Sequence, residues 1–340
     1  MMIRVALLSG WHVHAQEYAE EALKHPDLSV ELIWDEDEQR GKEWAKELGV
    51  PFVADLDQVL QDANIEAVIV SSPTNAHPSL ISAAAANGKH IFTEKVLAFT
   101  AEEAAQLLDE VKDNEVEFMI SLPRLTADYY VAAQKAVDDG LLGELTMLRC
   151  RVAHDGSVST DQHPSGWLPE SFYDQELCGG GAFIDLGAHP IYLANRFGGV
   201  PSGVFGRLHD RTGRGVDDHA TAIVEYESGL LATLETSFVS YGSPFQLELY
   251  GMEGTVLIEQ DCVRMKSRSF GHDEWVTGTD QQALPTPMEQ WVDAILNRRP
   301  STITAEDAYW LTVVNEAAAL SQREERRVPI SGRMVSVPHS

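Results

Sequence analysis

The sequence predicts an α/β domain on a parallel sheet, joined to an α+β domain whose large open sheet is mostly antiparallel. Three observations lead there. The first third alternates short apolar runs with helical patterns, as βαβ units do. Beyond about Pro123 that alternation gives way to runs with strand periodicity. A chain of 340 residues also exceeds the usual size of one domain, so two cores are expected, over 1–122 and 123–340.

In the first domain the apolar runs Ile3 to Leu8, Val30 to Trp34, Ala67 to Ser71, His90 to Thr93 and Phe118 to Ser121 are the expected strands. Ser79 to Asn87 reads as a helix, with Pro78 near its first turn and Gly88 just past its end. Thr100 followed by Glu103 forms a capping-box pattern ahead of a helix to about Val111. The second domain opens on a helix near Ala127 to Asp139. Strands are expected over Thr146 to Ala153, Thr221 to Tyr226, Leu230 to Phe238, Gln246 to Tyr250 and Thr255 to Gln260. Ser228-Gly229 suits a tight hairpin turn between two of them. Helices near Pro287 to Leu296 and Ala305 to Gln322 close the chain, and a ligand is expected in the cleft between the domains.

Acidic residues number 53 against 25 basic ones, a formal charge of −28 that repels phosphate backbones and anionic lipid. Nucleic acid and membrane are therefore not expected as partners. Cys150, Cys178 and Cys262 are far apart and form no CxxC pair, which fits a reducing compartment. The N-terminal apolar run, Val5 to Leu8, is too short for a signal-peptide core, so a cytoplasmic location is expected.

A Rossmann domain needs a tight turn after its first strand, close backbone approach to a pyrophosphate, and an acid about 20 residues on for the ribose. The turn here is Ser9-Gly10-Trp11-His12-Val13-His14, which keeps only Gly10 of a G-x-G-x-x-G pattern. Asp35 ends the second strand, where its carboxylate could accept both ribose hydroxyls and repel a 2′-phosphate; this favours NAD over NADP. The same acid could instead be one member of the solvated run Asp35 to Glu38. His12 and His14 are either a polar turn or part of the site, and Trp11 is a packing residue. With no further ligands at helical spacing nearby, the His-x-His pair is read as no metal site.

Two segments carry the chemistry. The first runs Ser71-Ser72-Pro73-Thr74-Asn75-Ala76-His77 and, after a helix, Gly88-Lys89-His90-Ile91-Phe92-Thr93-Glu94-Lys95-Val96. The second is Gly179-Gly180-Gly181-Ala182-Phe183-Ile184-Asp185-Leu186-Gly187-Ala188-His189. Together they resemble the marks of the Gfo/Idh/MocA family of sugar and polyol dehydrogenases, and the likeness extends to Arg124 to Gly143 and Tyr250 to Thr255. The resemblance implies that Lys95, Asp185 and His189 face nicotinamide and substrate. It also implies that Gly10, His12, Val13, Asp35, Ser72, Asn75, His77, Glu94 and Lys95 hold the cofactor, and that the chain forms a homodimer or homotetramer by packing open sheets together. Val96 replaces the family's proline after the lysine, and Tyr192 replaces an aspartate that many relatives carry after the histidine.

The residue types suit that chemistry. Oxidising an alcohol needs a base near neutral pH to take the hydroxyl proton, and His189 is the best candidate. Asp185, on the same helical face, would orient the imidazole or raise its basicity, and Lys95 would stabilise developing alkoxide charge. Arg124, His154 and Trp167 are expected to contact substrate, ahead of Asp155 and His163, with Trp167 offering a ring for a sugar to stack on. The expected activity is NAD-dependent oxidation of a hydroxyl on a small sugar, polyol or sugar acid. The alternatives are a redox-neutral lyase or glycosidase that retains NAD, separated by whether NADH accumulates, and a catalytically silent ligand sensor.

Overall fold

The computed structural model describes residues 2–331 and divides into two compact units, Met1–Ser121 with Pro285–Tyr309, and Leu122–Leu284 with Trp310–Ser340. The first unit holds β1 (Ile3–Leu8), α1 (Ala15–Lys24), β2 (Leu28–Trp34), α2 (Glu38–Leu48), α3 (Leu56–Gln61) and β3 (Ala67–Val70). It continues through α4 (His77–Ala86), β4 (His90–Thr93), α5 (Ala101–Asp113) and β5 (Phe118–Ile120). These strands form one parallel sheet in the order β2-β1-β3-β4-β5. Most of their residues are buried, and the buried ones are mainly β-branched or aliphatic, as in a covered parallel sheet. The capping box is present: the Thr100 side chain accepts from the Glu103 amide and Glu103 returns to the Thr100 amide.

The order reverses between β1 and β3, and a ligand crevice belongs outside the carboxyl ends of the strands at such a point. The turn after β1 and the segments after β3 and β4 all emerge at those ends. The backbone ties two of them together, because the amide of His12 donates to the carbonyl of Ser71 at 3.0 Å.

The second unit holds α6 (Asp128–Asp138), β6 (Leu145–Ala153), α7 (Gln175–Cys178), α8 (Ala182–Asp185), α9 (Ala188–Gly198) and β7 (Pro201–His209). Then follow β8 (His219–Tyr226), β9 (Leu231–Ser237), β10 (Gln246–Gly251), β11 (Gly254–Glu259), β12 (Cys262–Ser267) and β13 (Val276–Thr277). Its sheet runs β13-β12-β11-β10-β6-β9-β8-β7-β14, where β14 is Val328–Pro329; only the β6–β9 pairing is parallel. Strand residues alternate in burial. Leu148, Cys150, Ala232, Leu234, Leu247 and Leu249 point inward, and α9 packs on β6 and β9.

The outward face is more polar than an apolar docking sheet. Arg149 pairs with Glu235 at 2.9 Å and with Glu248 at 3.6 Å, and Arg151 reaches Glu235 at 3.2 Å. Met147, Leu231 and Tyr250 are neighbours beside this network, each more than a third exposed.

The chain then forms α10 (Pro287–Asn297) and α11 (Ala305–Glu324). Two contiguous domains were expected, but Pro285–Tyr309 belongs to the first unit. The reason is packing: Trp291, 1% exposed, lies with its ring 5.7 Å from that of Phe92 on β4 and donates its indole N–H to the carbonyl of Glu117. Among the described residues no helix is long and apolar enough to cross a membrane.

Candidate functional site

In the first unit the site begins at the turn after β1. Ser9 has φ 72°, a left-handed conformation that ordinarily favours glycine. The serine still makes the turn, because its hydroxyl accepts from the Trp11 amide at 3.2 Å and donates to Glu36 at 3.0 Å. Gly10 leaves room at a close approach. A Cβ there would lie 3.1 Å from the Trp44 ring. Beside this turn is a cleft of about 240 Å³, lined by Gly10, His12, Val13, Arg40, Trp44 and Glu47.

Asp35 stands at the end of β2 as expected, but its carboxylate is already engaged. It accepts from the amides of Gly10 and Asp37, each at 2.8 Å, and from Arg40 through Nε at 2.9 Å and Nη2 at 2.6 Å. The side chain is fully covered. Asp35 therefore shapes the turn and holds Arg40, and it does not present open oxygens to a ribose. Arg40 also pairs with Glu36 at 2.7 Å, so one guanidinium sits between two carboxylates. The sequence reading missed Arg40; its place in the first turn of α2, close after Asp35, was the available signal.

The segment after β3 places Asn75 exposed and Ser72 buried. His77, expected at the cofactor, is instead wholly buried, with Nδ1 2.8 Å from the carbonyl of Val96 and Nε2 3.2 Å from that of Ser72. Burial pushes its pKa down despite these carbonyls and the Glu94 charge. The ring thus braces the Ser72 and Val96 segments against each other. The peptide between Lys95 and Val96 is cis, and Lys95 is 6% exposed.

Glu94 is buried, 1% exposed. Tyr18 of α1 donates its hydroxyl to Glu94 Oε2, and His14 Nδ1 lies 3.1 Å from the same oxygen. Burial alone would raise its pKa, but His12, His14 and Lys95 outweigh burial and hold the carboxyl well below the usual carboxylate range. The sequence reading missed Tyr18, which nothing in its α1 position distinguished from a core residue.

In the second unit, Gly179, Gly180 and Gly181 all have positive φ, at 79°, 60° and 103°. At Gly181 the need is also steric, since a Cβ would lie 2.8 Å from Asp217 Cγ and 2.9 Å from its carbonyl oxygen. Asp217 caps the following helix: the amides of Ala182 and Phe183 donate to its backbone and side-chain oxygens at 2.8 Å. Burial pushes the Asp217 carboxyl up to about 7, against the amides that favour its charged form. Asp185 ends α8 and His189 lies in the first turn of α9, both half-buried. The continuous helix expected between them is broken at Leu186 and Gly187.

His189 Nδ1 lies 2.9 Å from the hydroxyl of Tyr192, which also accepts from the Arg124 amide at 3.3 Å. Expected only as a lost substrate contact, Tyr192 is a positioning residue for the imidazole. Arg124 is expected at substrate; here its guanidinium bonds the Tyr129 hydroxyl at 3.0 Å and lies 4.3 Å from the centre of the Phe245 ring. His154 lies between Phe238, stacked at 5.1 Å, and Trp167 at 4.7 Å. Trp167 is half exposed and donates to Asp155 at 3.2 Å, and His163 is exposed.

Residues 4–122 match the family described as "Oxidoreductase family, NAD-binding Rossmann fold", and residues 130–257 match "GFO/IDH/MocA C-terminal domain". The chain is 30% identical over 242 residues to scyllo-inositol 2-dehydrogenase (NAD(+)) of Bacillus subtilis, covering 68% of this chain and 67% of that protein. It is 24% identical over 330 residues to myo-inositol 2-dehydrogenase of Thermotoga maritima, covering 92% and 94%. A solved levoglucosan dehydrogenase in complex with NADH and levoglucosan has the same fold, with a TM-score of 0.85 at 20% identity over 98% of this chain and all of that one. The two matched segments, the parallel sheet with its topological switch and the glycine-rich start of α8 converge: the chain is an oxidoreductase belonging to the Gfo/Idh/MocA family.

Proposed function

We propose that the protein is an NAD-dependent dehydrogenase that oxidises a hydroxyl group of a sugar, an inositol-like polyol or a sugar acid. The observation that carries the reading is His189, half exposed with Nδ1 directed to Tyr192, in a chain whose relatives include inositol dehydrogenases. In the tautomer with hydrogen on Nδ1, the ring donates to the Tyr192 oxygen and Nε2 keeps the lone pair that takes the hydroxyl proton. Burial pushes the Tyr192 phenol pKa far up, so this partner stays uncharged through the reaction. Asp185 supplies negative charge that favours the imidazolium, and Lys95 donates to the alkoxide oxygen as it forms.

The nicotinamide, when bound, accepts the hydride. The turn from Ser9 to His14 fits a dinucleotide, since Ser9 takes the left-handed backbone that favours glycine and a cleft opens beside Gly10. Asp35 and Glu36 together outweigh Arg40 by one negative charge, which disfavours a 2′-phosphate even though an arginine is present. Screening NAD and NADP against a panel of sugars, inositols and sugar acids by NADH absorbance tests the reading. We expect turnover with NAD at least about 10-fold more efficient than with NADP. Equal use of NADP removes the acidic pair from its role, and no net NADH with any substrate favours the redox-neutral alternative.

We also propose that two copies associate through the outward face of the nine-stranded sheet. Met147, Leu231 and Tyr250 supply its apolar area, and the Arg149, Arg151, Glu235 and Glu248 network can re-pair across a two-fold axis. Light scattering at micromolar concentration should give a dimer or tetramer. A monomer overturns the proposal.

A further inference from the structure

We propose that His12, His14 and Glu94 form a binding site for a divalent transition metal of the zinc class. The inference goes beyond the dehydrogenase reading, because it stands on side chains of the first unit alone and requires no nucleotide.

Each of the three residues offers one ligand atom, and those atoms all lie within 4.8 Å of one another. His14 Nδ1 is 3.1 Å and His12 Nδ1 3.7 Å from Glu94 Oε2. Around a tetrahedral zinc with bonds of about 2.0–2.2 Å, donor atoms sit roughly 3.3 Å apart, and both spacings to Glu94 lie within about 0.5 Å of that. Two imidazoles and a carboxylate select zinc, cobalt or nickel over magnesium or calcium. This set is also the one used in open zinc sites that keep a position for an exogenous ligand.

A second, independent observation points to a cation. Glu94 Oε1 is buried and has no hydrogen-bond partner. A buried carboxylate with one oxygen unsatisfied is costly, and such a group calls for a missing ion, water or ligand. His12 Nδ1 accepts the amide of His14 at 3.2 Å, so ligation through that nitrogen exchanges this hydrogen bond for the ion. The surroundings hold the ligands as an outer shell should: Tyr18 bonds Glu94 Oε2, the Glu94 amide donates to the Val70 carbonyl at 3.0 Å, and the His12 amide is fixed on Ser71.

The test is calorimetric titration of Zn2+ into the full chain after chelator treatment, without nucleotide. We expect one ion per chain with a Kd on the order of micromolar or tighter, weakening as pH falls because protons compete for the imidazoles. Glu94→Gln should weaken binding by at least about 10-fold and His12→Ala with His14→Ala by at least about 100-fold. His14→Gln alone, at a partly exposed side chain, gives the variant that keeps the fold, and should also lose about 10-fold or more. His219→Ala, in the other unit, should leave affinity unchanged. Co2+ in place of Zn2+ should give the visible absorption of a four- or five-coordinate site, lost in the double variant. Millimolar or weaker binding to the unaltered protein overturns the proposal, as does affinity indifferent to both histidines. NADH binding, followed by fluorescence in parallel, separates the two readings: intact NADH binding without metal binding defeats this proposal alone, and the reverse defeats the dehydrogenase reading alone.

Discussion

Replacing Lys95 or His189 by Ala lowers kcat by about 100-fold or more, the usual scale for losing an alkoxide stabiliser or a general base. If, as proposed, both residues serve the same proton transfer, the double variant falls far less than the product of the single effects, because residues working as a unit are strongly non-additive. The variants differ in what else they disturb. Lys95 is one of the charges that hold Glu94 ionised, so Lys95→Ala also alters the cofactor side of the site, and cofactor affinity should fall with it. His189→Ala removes a ring that pairs with Tyr192, and NADH affinity should barely change. Steady-state kinetics on both single variants and the double, with NADH binding measured by fluorescence, decides the matter. Multiplicative losses, or near-normal turnover in either single variant, remove the pair from proton transfer.

The elements that period and punctuation specify were legible in the sequence. β1 and β4 fall on the residues expected, since continuous apolar runs between polar turns leave a buried parallel strand little choice. Thr100 and Glu103 form their capping box because the motif needs only its own turn. By contrast, β7 was missed. Its sequence Pro-Ser-Gly-Val-Phe-Gly-Arg-Leu-His carries the residues that normally punctuate strands, and Gly206 is tolerated because the carbonyl of Ala318 approaches to 3.1 Å of where a Cβ would stand. β12 was missed because its outward positions are charged and polar, leaving a weak apolar alternation.

Site residues were legible by type and not by partner. Asp35 occupies its expected place at the end of β2, yet an arginine in the next helix decides what its oxygens meet. His77 was read as a cofactor contact from a motif, whereas its ring nitrogens face the carbonyl of Ser72 within that motif and that of Val96 beyond the next strand. His12 and His14 were set aside as a metal pair for want of a nearby third ligand. The proposed third ligand, Glu94, comes near through the parallel pairing of β1, β3 and β4, a long-range contact that local spacing does not encode.

The glycine run ahead of α8 yields the second large effect: Gly181→Ala destabilises the second unit and disables the enzyme together. At φ 103° and ψ 168° the residue lies in a region essentially reserved for glycine, where an L side chain costs about 1–3 kcal/mol. The new Cβ would also press on Asp217, whose Cγ lies 2.8 Å away, adding roughly 1–3 kcal/mol of overpacking. Asp217 cannot withdraw cheaply, because it accepts the amides of both Ala182 and Phe183 at the start of α8. Summed, the cost is about 2–6 kcal/mol, a fall in Tm of roughly 5–20 °C for a unit of this size. Whatever relaxes the clash shifts α8 and α9, which carry Asp185 and His189, and a displacement near 1 Å at reacting groups costs about 100-fold in rate. NADH affinity should hold, since every residue assigned to the cofactor lies in the other unit. Calorimetry for Tm, kcat/KM with the best substrate of the panel and NADH titration read the three quantities separately. Unchanged Tm and turnover in Gly181→Ala would show that the close approach to Asp217 does not set the geometry of the catalytic helices.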